Sequence, residues 1–413
     1  MRSRRYAYYV VGLLTVINFF NYVDRLVLVT MYDDLRAKFA FSDAQIGSFL
    51  AAFFVVHAVA TLPLGWAADH FDRRKIIGLG VIIWSLATFL SAYAWGFVSM
   101  LVLRGAVGVG EAAYGPSANA ILCETFPDKK ARVVGIFNGG MFAGACVGLA
   151  AGGILGFPTA FEVVAVPGLA LGFLALVLDI PAQRKRPVAR PHFGVMLRDG
   201  WRTLRAPTLR WMLVSGVLIS FAAGGYTAWI VDFTTRYKGL TKQQAIPIYF
   251  VITATAGVLG VVGGGVIGDW LQRRNLAGRT RTIAMGFLAS VPFAVGVVVF
   301  DHGVPYFTCG WLLFFFIAFY NGPMAATIDD VVDDADASTA QATFVFFLHT
   351  LGTGPSSFVL GFLSDRWTLR GAFLLPAAAV LGAGLAALQA SRHVAGDIRA
   401  RDLRARPLGV ASA

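Results

Sequence analysis

Four ionisable side chains lie within long apolar segments, where a charge is costly and usually functional. Asp24 and Arg25 are adjacent in the first segment, and Arg104 and Glu111 share the fourth. A helix rises about 1.5 Å per residue, so residues seven apart lie on one face about 10 Å from each other. Asp24 and Arg104 lie at similar expected depth. The simplest arrangement that leaves no charge unpaired is a chain Arg104–Asp24–Arg25–Glu111.

Carboxyl groups in this setting can bind and release protons. Desolvation favours the neutral form of a carboxyl group, and a neighbouring guanidinium favours the charged form. A motion that moves the arginine would therefore change the proton affinity of its partner. We interpret Asp24 and Glu111 as the proton-coupling residues and Arg25 as the group that engages an anionic substrate head. The alternative is that these charges only tie helices together.

The elements that carry these residues are predicted to be membrane-spanning helices. Hydrophobic residues make up 57% of the chain and charged residues 14%, against about 25% charged in soluble proteins. A span needs about 20 predominantly apolar residues. Segments of this kind lie at 8–30, 44–68, 75–95, 97–123, 132–156, 160–180, 209–232, 244–268, 281–300, 304–328, 339–364 and 370–391. The expected fold is all-α, with twelve transmembrane helices in two pseudo-symmetric six-helix bundles.

A duplicated motif supports the two-bundle architecture. The pattern Gly-x3-Asp-x3-Arg-Arg begins at Gly65 and again at Gly265. Such internal repeats are typical of solute carriers. We interpret its residues as an electrostatic latch that closes one side in one conformation; the alternative is a simple topology anchor. The latch residues are Gly65, Asp69, Arg73, Arg74, Asp269 and Arg273. A third fragment, Gly361-x-x-Ser364-Asp365-Arg366, ends the eleventh segment on the opposite side.

The repeat also predicts the domain organisation. The first bundle covers residues 1–180, a cytoplasmic linker 181–208, the second bundle 209–391 and a basic cytoplasmic tail 392–413. The second part of the linker mixes apolar and basic residues, so a short amphipathic helix on the inner leaflet and a flexible linker both stay open.

Glycines recur every four residues in spans 5 and 8, which suggests seams on which the halves rock, with static packing as the alternative.

The charge distribution predicts the topology. Most of the 35 Lys and Arg residues lie in segments that are cytoplasmic if the N-terminus is cytoplasmic. This positive-inside bias predicts a multi-pass inner-membrane protein with both termini in the cytoplasm. It also accounts for the net charge of +12 without a nucleic-acid partner. We read the acidic loop 329–336 as solvated, although a cation site there is the alternative.

Other function classes have little support. The sequence shows no Gly-rich phosphate loop, metal-ligand cluster or nucleophile–base arrangement at usable spacing, so we expect no enzyme, cofactor or metal. Cys123, Cys146 and Cys309 are interpreted as packing residues. A channel would need pore rings repeated by symmetry, but the intramembrane charges lie in one half. A receptor or scaffold on a carrier shell remains an alternative.

The second half offers a neutral, aromatic set of candidates. The repeat offset maps Asp24 and Arg25 onto Gly224 and Gly225, so the charged pair has no counterpart. A charged wall facing an aromatic wall suits an amphiphile with an anionic head and a hydrophobic tail; a water-soluble organic anion such as a sugar acid is the alternative. The substrate-binding candidates are Arg25, Arg104, Tyr114, Asn119, Tyr226, Trp229, Asn321, Phe344 and His349. The expected partners are this substrate, protons and membrane lipids, with the chain a monomer.

Several segments together resemble one known family. They are Asn21-Tyr22-Val23-Asp24-Arg25, Arg104-Gly105-x2-Gly108-x-Gly110-Glu111-Ala112-x-Tyr114-x-Pro116, Phe319-x-Asn321, Ser338-Thr339-Ala340, His349-x-Leu351-Gly352 and Pro355 through Ser364-Asp365. Over nearly the whole transmembrane chain they resemble the spinster family of the major facilitator superfamily. The Gly-Glu-Ala-x-Tyr run is the most discriminating piece.

The resemblance carries its own expectations. Spinster relatives in animals export sphingosine-1-phosphate or move lysophospholipids, and a proton-linked mechanism is proposed for them. It implies that Asp24, Arg25 and Glu111 match the family's coupling and head-group positions. The chain departs from the family after Asn321, where Gly322-Pro323-Met324 and the acidic loop replace a Trp and a basic stretch. A different lipid or an organic anion therefore stays open.

Overall fold

The computed structural model describes residues 4–126, 130–177, 204–301, 303–333 and 337–405. Within these ranges every regular element is a helix. Residues 181–203 of the predicted linker and residues 406–413 of the predicted tail lie outside them, and so does most of the predicted amphipathic helix.

Seven of the helices in the described residues come from the first half of the sequence. They are α1 (Arg4–Val27), α2 (Tyr32–Phe39), α3 (Asp43–His70), α4 (Arg73–Ser91), α5 (Phe97–Thr125), α6 (Lys130–Leu155) and α7 (Thr159–Leu176). The short α2 is amphipathic and polar, and it lies in the loop that follows the first span.

The described part of the second half contributes nine helices. They are α8 (Pro207–Tyr237), α9 (Lys242–Arg274), α10 (Gly278–Val299), α11 (Val304–Ile317), α12 (Asn321–Val331), α13 (Ala337–Phe347), α14 (Gly354–Arg366), α15 (Leu369–Ala372) and α16 (Leu374–Ala405). A 3₁₀ turn at Ala318–Tyr320 joins α11 to α12, and a π-helical stretch at Leu348–Thr353 joins α13 to α14. The last helix continues to Ala405, so the beginning of the predicted tail is helical.

The twelve predicted spans are confirmed. Among the described residues, twelve helical segments are long and apolar enough to cross a membrane. Two of them are composite: Val304–Val331 contains α11 and α12, and Ala340–Arg366 contains most of α13 together with α14. With no strand among the described residues, the all-α membrane class predicted from the sequence is correct.

The described residues pack into two compact units. One unit holds those of 1–190 together with 228–248 and 357–366, and the other holds those of 191–227, 249–356 and 367–413. The predicted bundles 1–180 and 209–391 follow the sequence repeat instead, and that division stays a prediction.

The beginning of α3 is held by a local capping box. Ser42 precedes the helix, and its hydroxyl accepts from the backbone N–H of Gln45 at 3.3 Å. In return the Gln45 side-chain carbonyl accepts from the Ser42 N–H at 3.0 Å. This reciprocal pair satisfies amide groups that a helix start leaves without intrahelical acceptors.

Glycines let α6 lie directly on α1. A Cβ added at Gly140, Gly144, Gly148 or Gly152 would lie 2.7, 2.1, 2.5 or 2.2 Å from a backbone carbonyl oxygen of α1. Such contacts suit a lipid environment, where packing and not hydrophobic exclusion drives helix association. The stripe in span 8 likewise meets the second unit's own α11, with Gly260 facing the Phe315 carbonyl. Both stripes pack within a unit, so the predicted rocking seams are wrong and the static-packing alternative holds.

Replacing Gly144 by alanine should destabilise the protein. The new methyl group would meet the Phe19 carbonyl oxygen, and backbone cannot turn aside as a side chain can. Overpacking of this kind costs about 1–3 kcal/mol. We expect a lower melting temperature for Gly144→Ala in detergent. Gly139→Ala, on the same helix with no atom within 4 Å of its added Cβ, should melt at or slightly above the parent temperature. Equal melting of the two variants would contradict the packing.

Candidate functional site

Asp24 lies in a buried polar cluster formed by three helices. Arg104 of α5 reaches it with Nη1, 3.5 Å from Asp24 Oδ1. Arg104 Nη2 also donates to the hydroxyls of Thr88 at 3.1 Å and Ser91 at 3.0 Å, both on α4. Thr88 in turn donates its hydroxyl proton to Asp24 Oδ2. The predicted Arg104–Asp24 pair is therefore present, but two hydroxyl groups share the guanidinium with the carboxylate.

Arg25 and Glu111 form the second pair. Arg25 donates from Nη2 and Nε to Glu111 Oε2, at 2.6 and 3.2 Å. Nη2 also lies 3.4 Å from the Asn21 side-chain oxygen. The guanidinium carbon lies 4.6 Å from the Tyr22 ring centroid and 5.0 Å from that of Phe53, so aromatic faces cover the cation. The Glu111 side chain is fully buried, and that of Arg25 is 16% exposed.

The helix geometry explains why there are two pairs. Adjacent residues on α1 point about 100° apart, so Asp24 and Arg25 face different neighbours. Arg104 and Glu111 stand two turns apart on α5 and receive one partner each. The predicted four-membered chain is thus resolved into two ion pairs on different faces of α1.

Thr88 and Ser91 are the site residues that sequence reasoning missed. Both are buried, and a spacing of three puts them on one face of α4. Hydroxyl residues inside an apolar segment usually bond to their own helix backbone, so their types alone give no functional signal. One signal could have found them: two hydroxyl residues, three apart, lie at the depth in the membrane that the sequence predicts for Arg104.

The buried arginine is incompletely paired. Arg104 is 3% exposed, and its Nε has no hydrogen-bond partner among the described residues. Its guanidinium carbon lies 4.8 Å from the centroid of the Phe161 ring. A buried charge that loses its counter-ion is strongly destabilising. The cluster is therefore sensitive to any motion that separates Asp24 from Arg104.

Two predicted substrate residues of the first half lie elsewhere. Tyr114 is buried in the core, where its hydroxyl donates to the Leu14 carbonyl and its ring packs on Trp84 and Phe137. Its role as a substrate residue stays a prediction. The side chain of Asn119 lies outside the described part of the structure.

The aromatic candidates of the second half are divided between the two units. Tyr226 is fully buried against Phe314 and Phe373 in the second unit. Trp229 belongs to the first unit, where its Nε1 donates to the Ser357 carbonyl at 3.0 Å.

The other three candidates belong to the second unit. Phe344 is buried, and Asn321 is exposed and donates to the Ala318 carbonyl at 3.1 Å. His349 lies in the π-helical stretch, a geometry that is frequent at functional sites. The substrate-binding roles of these residues stay predictions.

The first copy of the duplicated motif is partly described. The side chain of Asp69 lies outside the described residues, and Arg73 Nε donates to the Ala68 carbonyl at 3.3 Å. Arg74 bonds the Asp72 carboxylate at 2.6 and 3.0 Å, which holds the pKa of that carboxyl below its ordinary value. A Cβ added at Gly65 would meet no atom within 4 Å.

The second copy uses a partner that the motif does not contain. Asp269 accepts from Arg279, ten residues later, at 2.8 and 3.1 Å. Arg279, at the start of α10, also bonds Asp330 at 2.6 Å, while Arg273 is exposed. Asp330 lies in the last turn of α12, so the predicted acidic loop 329–336 begins within a helix. Its charge is partly neutralised by Arg279 of the same half. Asp334 and Asp336 lie outside the described residues.

Comparison with known proteins identifies the family. The sequence profile of the Major Facilitator Superfamily matches residues 14–342. The chain belongs to the major facilitator superfamily. Members of this superfamily are transporters and not enzymes. The described residues contain no group of three or more His, Cys, Asp or Glu that could hold a metal ion.

Within the superfamily the chain is similar to spinster proteins. It is 25% identical over 402 residues to Protein spinster homolog 1 of Xenopus tropicalis, which covers 88% of this chain and 74% of the relative. It is 26% identical over 381 residues to Sphingosine-1-phosphate transporter SPNS2 of the same organism, with 86% and 73% covered. The resemblance predicted from the sequence motifs is confirmed.

A solved structure shows the same fold. A bacterial homologue of the human lysosomal transporter spinster, crystallised in an inward-facing and occupied conformation, superposes with a TM-score of 0.83. The match covers 96% of this chain and 99% of that chain at 20% sequence identity. The major facilitator fold predicted from the repeat is thereby confirmed.

Breaking the second ion pair should show strong coupling between its members. Glu111→Gln leaves a largely buried cation, which costs about 3–5 kcal/mol. The double variant Arg25→Gln/Glu111→Gln should lose less stability than the two single variants together, because it removes both charges. Thermal unfolding in detergent measures all three. Asp301→Asn, which breaks an exposed pair with Arg370, should change stability by less than about 1 kcal/mol. Additive losses at Arg25 and Glu111 would refute the coupling.

Proposed function

We propose that this spinster-type transporter is proton-coupled, works by alternating access and moves an amphiphilic anionic lipid such as a lysophospholipid or a sphingoid phosphate. The observation that carries the proposal is the presence of two carboxylate–arginine pairs, Asp24–Arg104 and Glu111–Arg25, inside the membrane-spanning part of the first unit. Intramembrane ion pairs of this kind mark proton relays and substrate pathways.

The surroundings of the arginines suit a carboxyl group that changes charge. Arg104 bonds Thr88 and Ser91, and Arg25 contacts Asn21 and the Tyr22 ring. These neutral partners would hold each guanidinium in place when the carboxyl group that it pairs with is protonated. Asp24 and Glu111 are therefore our proton-coupling residues. Movement of the helices past one another would strengthen one carboxylate–arginine pair while it weakens the other.

The environment of Arg25 favours an amphiphilic anion as the substrate. Its side chain is partly exposed, and Tyr22, Phe53 and Phe54 lie around its guanidinium. A cation beside aromatic faces can bind a phosphate head while the rings contact an apolar body. The name of one relative, a sphingosine-1-phosphate transporter, is consistent with that chemistry.

A water-soluble organic anion is the second candidate. The chain departs from the spinster pattern after Asn321, where Gly322-Pro323-Met324 lies in the first turn of α12. Asn321 itself is exposed, and its side chain donates to the Ala318 carbonyl of the preceding 3₁₀ turn. A different lining of the substrate site at this point would favour a smaller, hydrophilic substrate held by Arg25.

The remaining expectations belong to the same proposal. The protein would act as a monomer in the inner membrane, with both termini in the cytoplasm and membrane lipids as its surroundings. The latch would involve Gly65, Asp69, Arg73 and Arg74 in the first copy and Asp269 and Arg273 in the second. The Asp269–Arg279–Asp330 contacts support an ionic role for the second copy.

Removing a titratable carboxyl group should uncouple transport from the proton gradient. In proteoliposomes with an imposed pH gradient and a labelled lysophospholipid, Asp24→Asn and Glu111→Gln should reduce accumulation at least about tenfold, because a carboxamide releases no proton. Exchange of labelled for unlabelled substrate should persist. Asp402→Asn, an exposed carboxylate on α16, should accumulate like the parent protein. Full accumulation by both intramembrane variants would overturn the relay.

Ligand-induced stabilisation should distinguish the two substrate classes. We expect lysophospholipids and sphingoid phosphates to raise the melting temperature more than sugar acids do, because they fill both the cationic and the aromatic parts of the site. An uncharged lysolipid analogue is the control for detergent-like effects. Arg25→Gln should abolish the stabilisation by the anionic lipids. Stabilisation by sugar acids alone would refute the lipid proposal and support the organic anion.

A further inference from the structure

The hydroxyl group of Thr88 gives its proton to an unusual acceptor. Many hydroxyl groups buried in the described spans donate to a backbone carbonyl four residues earlier in their own helix, as Ser91, Ser117 and Thr327 do. That bond is the usual one for a hydroxyl residue within a helix. Thr88 donates instead to the carboxylate of Asp24, which lies on another helix and 64 residues away in sequence.

Thr88 lies between the two charges of its cluster. Its oxygen accepts from Arg104 Nη2 at 3.1 Å, while its hydrogen bonds Asp24 Oδ2. A hydroxyl group has one hydrogen and two lone pairs, so these two bonds use the hydrogen and one lone pair. The direct contact between the charges is longer, since Arg104 Nη1 lies 3.5 Å from Asp24 Oδ1. The carboxylate and the guanidinium are therefore joined through Thr88 as well as directly.

Ser91 supplies the constant part of the arrangement. Its hydroxyl donates to the Ala87 carbonyl at 2.8 Å and accepts from Arg104 Nη2 at 3.0 Å. Neither bond involves Asp24, so Ser91 can hold Arg104 whether the carboxyl group is charged or neutral. The bond from Thr88 to Asp24 has to change with that charge, because a protonated carboxyl oxygen becomes a donor.

The other neighbours of Asp24 offer no acceptor for a proton on that carboxyl group. Asp24, Thr88 and Arg104 are all buried, and a buried donor without a partner is costly. The charged groups that act on Asp24 are Arg104, Arg25 and Glu111. A guanidinium has no acceptor atom, and the Glu111 carboxylate is bonded to Arg25. The oxygen of Thr88 is therefore the acceptor that the cluster provides.

We propose that Thr88 is the positioning residue for the coupling proton: it donates to Asp24 when the carboxyl group is charged and accepts from Asp24 when it is protonated. This role rests on the proton coupling at Asp24 proposed above. The proton binds Oδ2, because Oδ1 faces the hydrogens of Arg104 Nη1. The new O–H group of Asp24 donates to the second lone pair of Thr88 Oγ1. The Thr88 hydrogen turns to a carbonyl of its own helix, the kind of acceptor that Ser91 uses. Thr88 neither gains nor loses a proton, and Arg104 keeps both hydroxyl partners.

Removal of the hydroxyl group tests this role in proteoliposomes. Valine has nearly the shape of threonine but can neither donate nor accept. For Thr88→Val we expect gradient-driven accumulation of a labelled lysophospholipid to fall at least about tenfold relative to exchange, because bonds to charged groups are among the stronger hydrogen bonds. Thr88→Ser keeps the hydroxyl group and should restore the ratio to within about twofold of the parent. Thr327→Val removes a buried hydroxyl that bonds only its own helix and should leave the ratio unchanged.

A purely structural role for Thr88 predicts a different result. Accumulation and exchange would then fall together, in step with the melting temperature, and an unchanged ratio in Thr88→Val would overturn the proposal. If Thr88→Val does not fold, Thr88→Cys is the milder variant, because a thiol donates and accepts only weakly. It should also lower the ratio, and a parental ratio in Thr88→Cys would have the same meaning as one in Thr88→Val.

An infrared spectrum separates the role of Thr88 from the proposed function, because it needs neither substrate nor a gradient. The carbonyl stretching band of protonated Asp24 is identified in acidified, detergent-solubilised protein by its loss in Asp24→Asn. We expect the band to shift in Thr88→Val, where the carboxyl O–H loses its acceptor, and to stay in place in Thr327→Val.

The two measurements together assign a failure to one proposal or the other. A shifted band in a protein without proton-driven accumulation would reject the proposed function and retain the contact between Thr88 and protonated Asp24. A band at the parental position in Thr88→Val would reject the role of Thr88 alone. The absence of an Asp24 band at every pH at which the protein melts cooperatively would also reject that role.

Discussion

A charge inside the hydrocarbon layer must be paired, and the first unit is arranged around that requirement. Asp24 and Arg25 are covalent neighbours, yet each needs a partner on another helix because they point in different directions. Arg104 and Glu111 supply those partners from a single face of α5. Two residues on α1 thereby determine both the rotation of α1 and its height relative to α5. The site follows from the pairing of these charges. None of the four residues can move far without leaving a charge unpaired.

Close helix contacts make the short-range chemistry possible. Gly80 of α4 and Gly110 of α5 face each other, and a Cβ added at either would lie within 2.7 Å of the other's carbonyl oxygen. At that separation the short side chains of Thr88 and Ser91 reach the guanidinium of Arg104. Larger residues at the two glycines would push α4 away and remove both hydroxyl groups from the cluster. The packing residues and the polar residues of this site therefore depend on one another.

The sequence predicted the features that follow from composition, from the helical spacing of residues and from the distribution of charge. Twelve apolar segments, the all-α class and the Arg104–Asp24 pair all emerged from simple counting along helices. The sequence did not reveal Thr88 and Ser91. A hydroxyl side chain in an apolar segment usually bonds the backbone of its own helix, and its sequence pattern is the same when it belongs to a site. It also missed Arg279 as the partner of Asp269, since the motif itself contains two closer arginines. The glycine stripes were predicted to be seams, whereas their spacing identifies only a close contact and not the helix on the other side.

The capping box of α3 has a consequence for local unfolding of the protein. Ser42 and Gln45 secure the first turn from within the same chain segment, independently of Asp365. Asp365 of α14 accepts from the amides of Asp43 and Ala44 as well, so the first turn of α3 is held twice, once within its own segment and once from another helix. Local unfolding begins where the backbone has few partners. The start of α3 can therefore lose either set of bonds and still keep its first turn.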